Sequence, residues 1–504
     1  MALKRNIISS YISQIYVAGI GILILPLYMK SMGAEAYGLI GFFAMLQAWF
    51  ALLDLGLTPT ISRETARYRG GATSALDFRR LFRVLIAIFV AVALLGGGGL
   101  WLAADEIAMH WLNLSQLSLD LVVFTLKIMA VCIALRWMGG VYRGIISGSE
   151  KIVWLSVFNI IIASLRFVAV FITLYIYGFT PIVFFLHQLV IAVVEVIGLC
   201  VIGSSLLPEF EKTDHRLDWS LKPIMPLLRF SLSIAFTSSV WVLVTQTDKL
   251  ILSGLLPLAE YGYFSLAVLV AGGIMIISGP ISTALLPRMA HMYAQDQHQQ
   301  LISLYRLSTQ CVAILAGAAS ITIFYCAEPL LIAWTADSQL AANAAPILSV
   351  YALGNGVLAL GAFPYYLQYA RGQLRYHLIG SFGMVLVLIP AIILAVEVFG
   401  AIGAGYVWLS VNVIYLIGWV AFVHSKLEPG LHLQWLVDDC LKVLAGPALL
   451  LAPLIWIPLN FDSRIQALGF LVTVSMFALL AAVLGAGQVR GMVIARLRGM
   501  VRNG

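Results

Sequence analysis

Charge is scarce in this chain: Asp, Glu, Lys and Arg together make up 11% of its 504 residues, while 62% are hydrophobic. Soluble domains carry about 25% charged residues, so a water-soluble fold is excluded and the bilayer is the solvent. Cysteine is also sparse. The five (Cys132, Cys200, Cys311, Cys326, Cys440) stand singly in apolar stretches with no CxxC pair, which excludes a disulfide framework or zinc ribbon and leaves them as small core residues. There is no HExxH and no GxxxxGK[ST], so neither a zinc hydrolase nor a built-in ATPase is indicated. Energy for any transport must come from a gradient or a partner; no cofactor and no nucleic-acid partner is expected. Long polar loops are missing from the outer side as well. The longest one on the outer side, Ala104 to Ser118, offers only Asp105, Glu106 and His110, too little for a membrane sugar polymerase or glycosyltransferase.

What the chain has is apolar runs of helical length. A helix needs roughly 20 apolar residues to cross the hydrocarbon core, and about fourteen such runs are legible: 7–29, 39–58, 81–103, 119–145, 152–177, 182–204, 230–254, 261–285, 307–333, 344–366, 378–397, 403–424, 439–458 and 465–486. The expected class is an all-α integral membrane protein. Lys4 and Arg5 resemble the start of a signal peptide, but the apolar stretch after them is long and lacks a small-residue cleavage site, so it reads as a retained first span. Lys and Arg divide unevenly between the two sides, 23 on the side of the N-terminus against Lys30 and Arg464 on the other. The positive-inside rule then puts both termini in the cytoplasm. A basic tail, Val489 to Gly504, suits either an interfacial helix on anionic lipid or an ordinary positive-inside end.

Several motifs recur at an offset of about 224 residues. Glu35-Ala36-Tyr37-Gly38 matches Ala259-Glu260-Tyr261-Gly262, Leu81-Phe82-Arg83 matches Leu304-Tyr305-Arg306, and Tyr142, Gly148 and Lys151 match Tyr366, Gly372 and Arg375. Six spans separate the copies, and an even number leaves both in one orientation, as in transporters built from parallel repeats. The expected organisation is a six-helix lobe over 1–204, a cytoplasmic linker over 205–229, a second six-helix lobe over 230–424, and two additional helices with the basic tail over 425–504.

Ionisable residues at membrane depth are costly and are functional candidates by default. Arg166 falls near the middle of span five and Arg136 somewhat nearer the cytoplasm on span four. His187 and Glu195 on span six bracket Arg166 in depth, and the short turn from Gly178 to Pro181 makes an Arg166–Glu195 pair feasible. The competing reading is that this pair only fastens two helices together. Lys127 lies nearer the outer surface and can snorkel. Asp248 and Lys249, adjacent near the outer end of span seven, are candidates for coupling or gating, or anchors of that end. Lys127, Arg136 and Arg166 against Glu195 leave a surplus of positive charge in the N-terminal half, which favours an anion, and arginine grips phosphate oxygens through paired hydrogen bonds.

Leu52-Leu53-Asp54-Leu55-Gly56-Leu57 running into Ile61-Ser62-Arg63-Glu64 resembles the signature of polysaccharide flippases of the multidrug, oligosaccharidyl-lipid and polysaccharide exporter superfamily. Gly33 to Gly38 resembles the loop before that signature, and Thr247-Asp248-Lys249 with Tyr261-Gly262 resembles the family's seventh span and following loop. The similarity extends over the whole chain and is closest to the Wzx type. It implies two lobes about a central cavity and alternating access. The implied cargo is an undecaprenyl-pyrophosphate-linked O-antigen or capsular repeat unit, passed to the periplasmic leaflet of a bacterial inner membrane. A polysaccharide polymerase and a chain-length regulator are the implied partners, with Asp54 joining Asp248 and Lys249 as coupling or gating candidates. A lipid II flippase and a cation-coupled multidrug exporter of the same superfamily are the alternatives; the exporter would centre on buried carboxylates rather than a positive surplus.

Overall fold

Backbone amides and carbonyls in hydrocarbon must satisfy one another, which restricts membrane spans to helices and closed barrels. The computed structural model describes residues 2–208, 225–457, 459, 461 and 463–492. Among these there is no strand, and the one extended pairing is an isolated bridge between Asn113 and Pro257. Most of the expected 205–229 linker, with Glu209, Glu211, Lys212 and Asp214, and the tail beyond residue 492 lie outside the described residues.

Fifteen helices organise the described chain. They are α1 (Ala2–Met32), α2 (Ala34–Phe50), α3 (Leu57–Arg69), α4 (Ala75–Leu102), α5 (Leu119–Gly148), α6 (Ile152–Tyr177), α7 (Pro181–Ser205), α8 (Met225–Leu255), α9 (Leu258–Ala294), α10 (His298–Thr335), α11 (Ser338–Ala370), α12 (Arg375–Phe399), α13 (Ala401–Leu427), α14 (Leu431–Trp456) and α15 (Arg464–Gly485). Among the described residues, thirteen spans on these helices are long and apolar enough to cross a membrane. This is a multi-pass membrane protein. Bulky apolar side chains such as Leu94, Leu95, Tyr175, Leu394 and Ile465 point outward, as lipid-facing residues do.

The chain divides into two compact units, Met1–Gly262 and Tyr263–Gly504, so α8 groups with the first seven helices. Its C-terminal corner is fastened there by Asn113, whose side-chain amide donates to the carbonyls of Gly254 (3.0 Å) and Leu256 (3.4 Å) and whose carbonyl accepts from the Leu258 amide (2.9 Å). The two copies of the Tyr-Gly motif meet in this unit. A Cβ on Gly38 would collide with the Leu258 carbonyl, and one on Gly262 with the Ala34 carbonyl. Both positions therefore require glycine, each for the close approach of the other copy's backbone. Glu35 of the same motif is 5% exposed and accepts hydrogen bonds from three successive amides, Ser115 and Gln116 at 2.7 Å and Leu117 at 3.1 Å, pinning the Leu112–Ser118 loop.

The expected second span, 39–58, is corrected by the structure: α2 starts earlier, at Ala34, and ends at Phe50. A 3-10 turn, Ala51–Asp54, follows, and the chain then reverses through Leu55 (φ 47°) and Gly56 (φ 72°) into a separate helix, α3. The reason is local. Asp54 caps α3, both its oxygens accepting from the Thr58 amide (3.2 and 3.3 Å) and one also from the Thr58 hydroxyl (2.6 Å). α3 then packs on α5, where Gly144 and Gly148 clear room for Ile61 and the Ser62 carbonyl, the small-xxx-small spacing of close helix pairs in membranes.

The first unit's core joins α4 and α5 through Phe78, Leu85, Phe89, Trp137 and Ile145, with Phe89 stacked on Trp137 at 4.3 Å between centroids. In the second unit Tyr305, Phe363, Val420 and Trp435 gather α10, α11, α13 and α14.

Candidate functional site

The buried charges of the first unit converge where α5, α6 and α7 meet α2. Arg136 on α5 donates through Nη1 to Gln47 Oε1 (3.1 Å) and through Nη2 to Gln188 Oε1 (2.9 Å), and its guanidinium lies over the Phe43 ring at 5.4 Å. Two turns along the same face, Arg143 donates to Asn159 Oδ1 (2.7 Å) and makes a short charged hydrogen bond to Glu195 Oε1. Glu195, 5% exposed, faces Arg136 Nε with its other oxygen at 3.8 Å, beyond hydrogen-bond length.

Arg166 lies elsewhere than its spacing suggested. The expected Arg166–Glu195 pair is not formed: Glu195 is held by Arg143 and approached by Arg136, while Arg166 extends over the Phe167 ring at 5.3 Å. The physical reason is that α6 widens into a π turn over Leu165–Ala169, which displaces Arg166 from the register of a regular helix. Among the described residues Arg166 has no carboxylate within ion-pair distance. Arg136 Nε, Arg166 Nε and Glu195 Oε2 are buried atoms with no hydrogen-bond acceptor or donor. Buried donors of this kind are rare because each forgoes its hydration without replacement.

His187 is fully engaged, Nε2 with the Leu165 carbonyl and Nδ1 with the Thr173 hydroxyl, both at 2.9 Å. Lys127 stands about 13 Å along α5 from Arg136, at 1.5 Å per residue, and binds Asp105 at 3.0 Å; it serves the end of the bundle rather than the arginine cluster. Arg143 takes its place in the charge balance. Three guanidiniums against one carboxylate leave a surplus of two positive charges. Asp54 acts as the cap described above. Asp248, 2% exposed, accepts from the Lys249 amide (2.8 Å) and ammonium (3.1 Å), and that ammonium also donates to the Thr245 carbonyl (2.6 Å).

Two arginines of the second unit are paired with carboxylates instead. Arg306 binds Asp439 (2.6 Å) and reaches Asp438 (3.7 Å), while Glu428 binds Arg371 (2.6 Å) and His298 (2.8 Å). The helix matching α6, α12, carries Pro390 at the offset position of Arg166. Among the described residues no group of three His, Cys, Asp or Glu side chains is placed to hold a metal ion. Sequence reasoning missed Arg143, Gln47 and Gln188. The first had a signal, its seven-residue spacing from Arg136; the glutamines had none beyond being polar within apolar runs.

A family model described as polysaccharide biosynthesis protein matches residues 3–293. The chain belongs to this family. The chain is 22% identical over 397 residues to a Shigella flexneri protein described as "Putative O-antigen transporter", covering 76% of this chain and 88% of that one. The fold of this family member is that of the multidrug, oligosaccharidyl-lipid and polysaccharide exporter superfamily. The inward closed structure of the lipid II flippase MurJ aligns over 97% of this chain and 99% of its own, at a TM-score of 0.72 and 14% identity. An inward-facing multidrug resistance transporter of the superfamily covers 85% and 99%, with a TM-score of 0.65 and 16% identity. These relatives are transporters and flippases, and none is named for a catalytic activity.

Proposed function

We propose that this protein flips an undecaprenyl-pyrophosphate-linked oligosaccharide, an O-antigen or capsular repeat unit, from the cytoplasmic to the periplasmic leaflet of a bacterial inner membrane. Both termini face the cytoplasm in this reading, which the uneven placement of Lys and Arg supports. The six-plus-six repeat supplies two lobes that alternate access, and the N-terminal lobe receives the pyrophosphate on Arg136 and Arg166. The observation that carries the proposal is the surplus of two buried positive charges with unused donor nitrogens on both arginines. Such a site attracts phosphate oxygens and repels a cationic drug by the same field. The cargo's polyprenyl tail remains in lipid. Deleting the gene tests this in the cell: surface polysaccharide should be lost while drug susceptibility stays unchanged. Intact polysaccharide with dye hypersensitivity would favour the exporter reading, and loss of peptidoglycan synthesis would favour lipid II as cargo.

A further inference from the structure

The π turn of α6 is held open from outside. Three successive carbonyls at its start each receive a side-chain donor from a neighbouring helix: Leu165 from His187 Nε2 (2.9 Å), Arg166 from Gln188 Nε2 (2.9 Å), and Phe167 from the Tyr28 hydroxyl (2.6 Å). A carbonyl accepts and never donates. His187 therefore carries its proton on Nε2, leaving Nδ1 to accept from Thr173. Gln188 is equally constrained, because its amide nitrogen serves the Arg166 carbonyl while its oxygen serves Arg136.

A widened turn is a costly thing to keep at membrane depth, since carbonyls released from the helical ladder have no water to turn to. Three donors from α1 and α7 meet that cost at consecutive residues, and such turns concentrate at functional sites. The displacement they maintain is the one that takes Arg166 away from Glu195 and leaves its guanidinium without a carboxylate. The contrast is with the matching helix: α12 is unbroken by any π turn and has no charge at the matching position, and the π turns elsewhere in the second unit, Ala313–Gly317, Tyr415–Trp419 and Trp435–Leu441, carry no arginine.

We infer that Tyr28, His187 and Gln188 are positioning residues for anion recognition: they hold the Leu165–Ala169 turn open so that Arg166 is presented to the diphosphate of a lipid-linked cargo, and Gln188 ties that presentation to Arg136. This rests on the reading of the arginine site given above. Tyr28 gives the cleanest perturbation, because Tyr28→Phe retains the ring, stacked on Phe171 at 5.0 Å, and removes only the hydroxyl.

The test is a binding cycle on purified full-length protein in nanodiscs, with undecaprenyl pyrophosphate as the probe and undecaprenol as the control for the tail. Arg166→Ala and Tyr28→Phe should each weaken pyrophosphate binding, Tyr28→Phe by about tenfold, with undecaprenol binding unchanged. In the Arg166→Ala background, Tyr28→Phe should cause no further loss, since there is no guanidinium left to position. Equal fold-losses in both backgrounds, or no loss from Tyr28→Phe beside a clear loss from Arg166→Ala, would overturn the positioning inference and leave the arginine site standing. No loss from Arg166→Ala itself would overturn both. Gln188→Met carries the same cycle if Tyr28→Phe does not insert.

Discussion

Arg143 and Arg166 are both arginines of the same cluster, yet their surroundings give them opposite weights in folding. Arg143→Ala removes the hydrogen-bonded partner of Glu195, a carboxylate 5% exposed. The nearest remaining cation, Arg136, is at 3.8 Å without a hydrogen bond. Taking one member from a buried pair costs about 3–5 kcal/mol, and the residual pull of Arg136 places this case at the lower end, about 3 kcal/mol. Arg166→Ala forfeits only the contact with the Phe167 face, about 1 kcal/mol, and relieves part of the uncompensated positive charge. Thermal unfolding of the two variants in detergent, read beside their abundance in membranes, distinguishes these cases. Arg143→Ala should be markedly destabilised, and adding Glu195→Ala should recover part of the loss, because the orphaned carboxylate is then gone. Arg166→Ala should unfold close to wild type while failing to export polysaccharide. A stable Arg143→Ala protein, or equal destabilisation by the two substitutions, would refute the reasoning.

Asp54 offers a separation of cap from coupling group: Asp54→Asn keeps an acceptor for Thr58 and should transport normally, while Asp54→Ala should lose about 1 kcal/mol of stability; failure of a well-inserted Asp54→Asn protein in a complementation assay would assign the charge a transport role. Gly38→Ala and Gly262→Ala should each reduce the folded yield, since the added methyl meets a backbone carbonyl, and normal yields of both would dismiss the close approach of the two motifs. Glu35→Gln leaves one oxygen to serve three amides, so limited proteolysis should cut the Leu112–Ser118 loop faster than in wild type; unchanged cleavage would deny the carboxylate its role as a pin.

The spans were legible because hydrocarbon thickness dictates run length, and α6, with its apolar run bounded by Lys151 and Gly178, falls where the sequence places it. The end of span two was not legible in the same way. Leu52 to Leu57 is almost continuously apolar, and the corner within it is made by left-handed backbone at Leu55 and Gly56 and by the Asp54 cap, none of which hydropathy registers. The site was half legible for a related reason. Charge at depth picks out Arg136, Arg166 and Glu195, but their pairing depends on helix register, and a π turn shifts register without leaving a mark in composition. Arg143 lies two residues from the basic cytoplasmic end expected for its span, where a cation is ordinary, so charge at depth does not single it out.

The most direct measurement of the central claim is translocation in proteoliposomes: the fraction of an undecaprenyl-pyrophosphate-linked oligosaccharide that becomes accessible in the opposite leaflet, compared among wild type, Arg136→Ala and Arg166→Ala proteins reconstituted at equal density. The account predicts rapid flipping by wild type and near-background rates for both variants. Full-rate flipping by both alanine variants would contradict it.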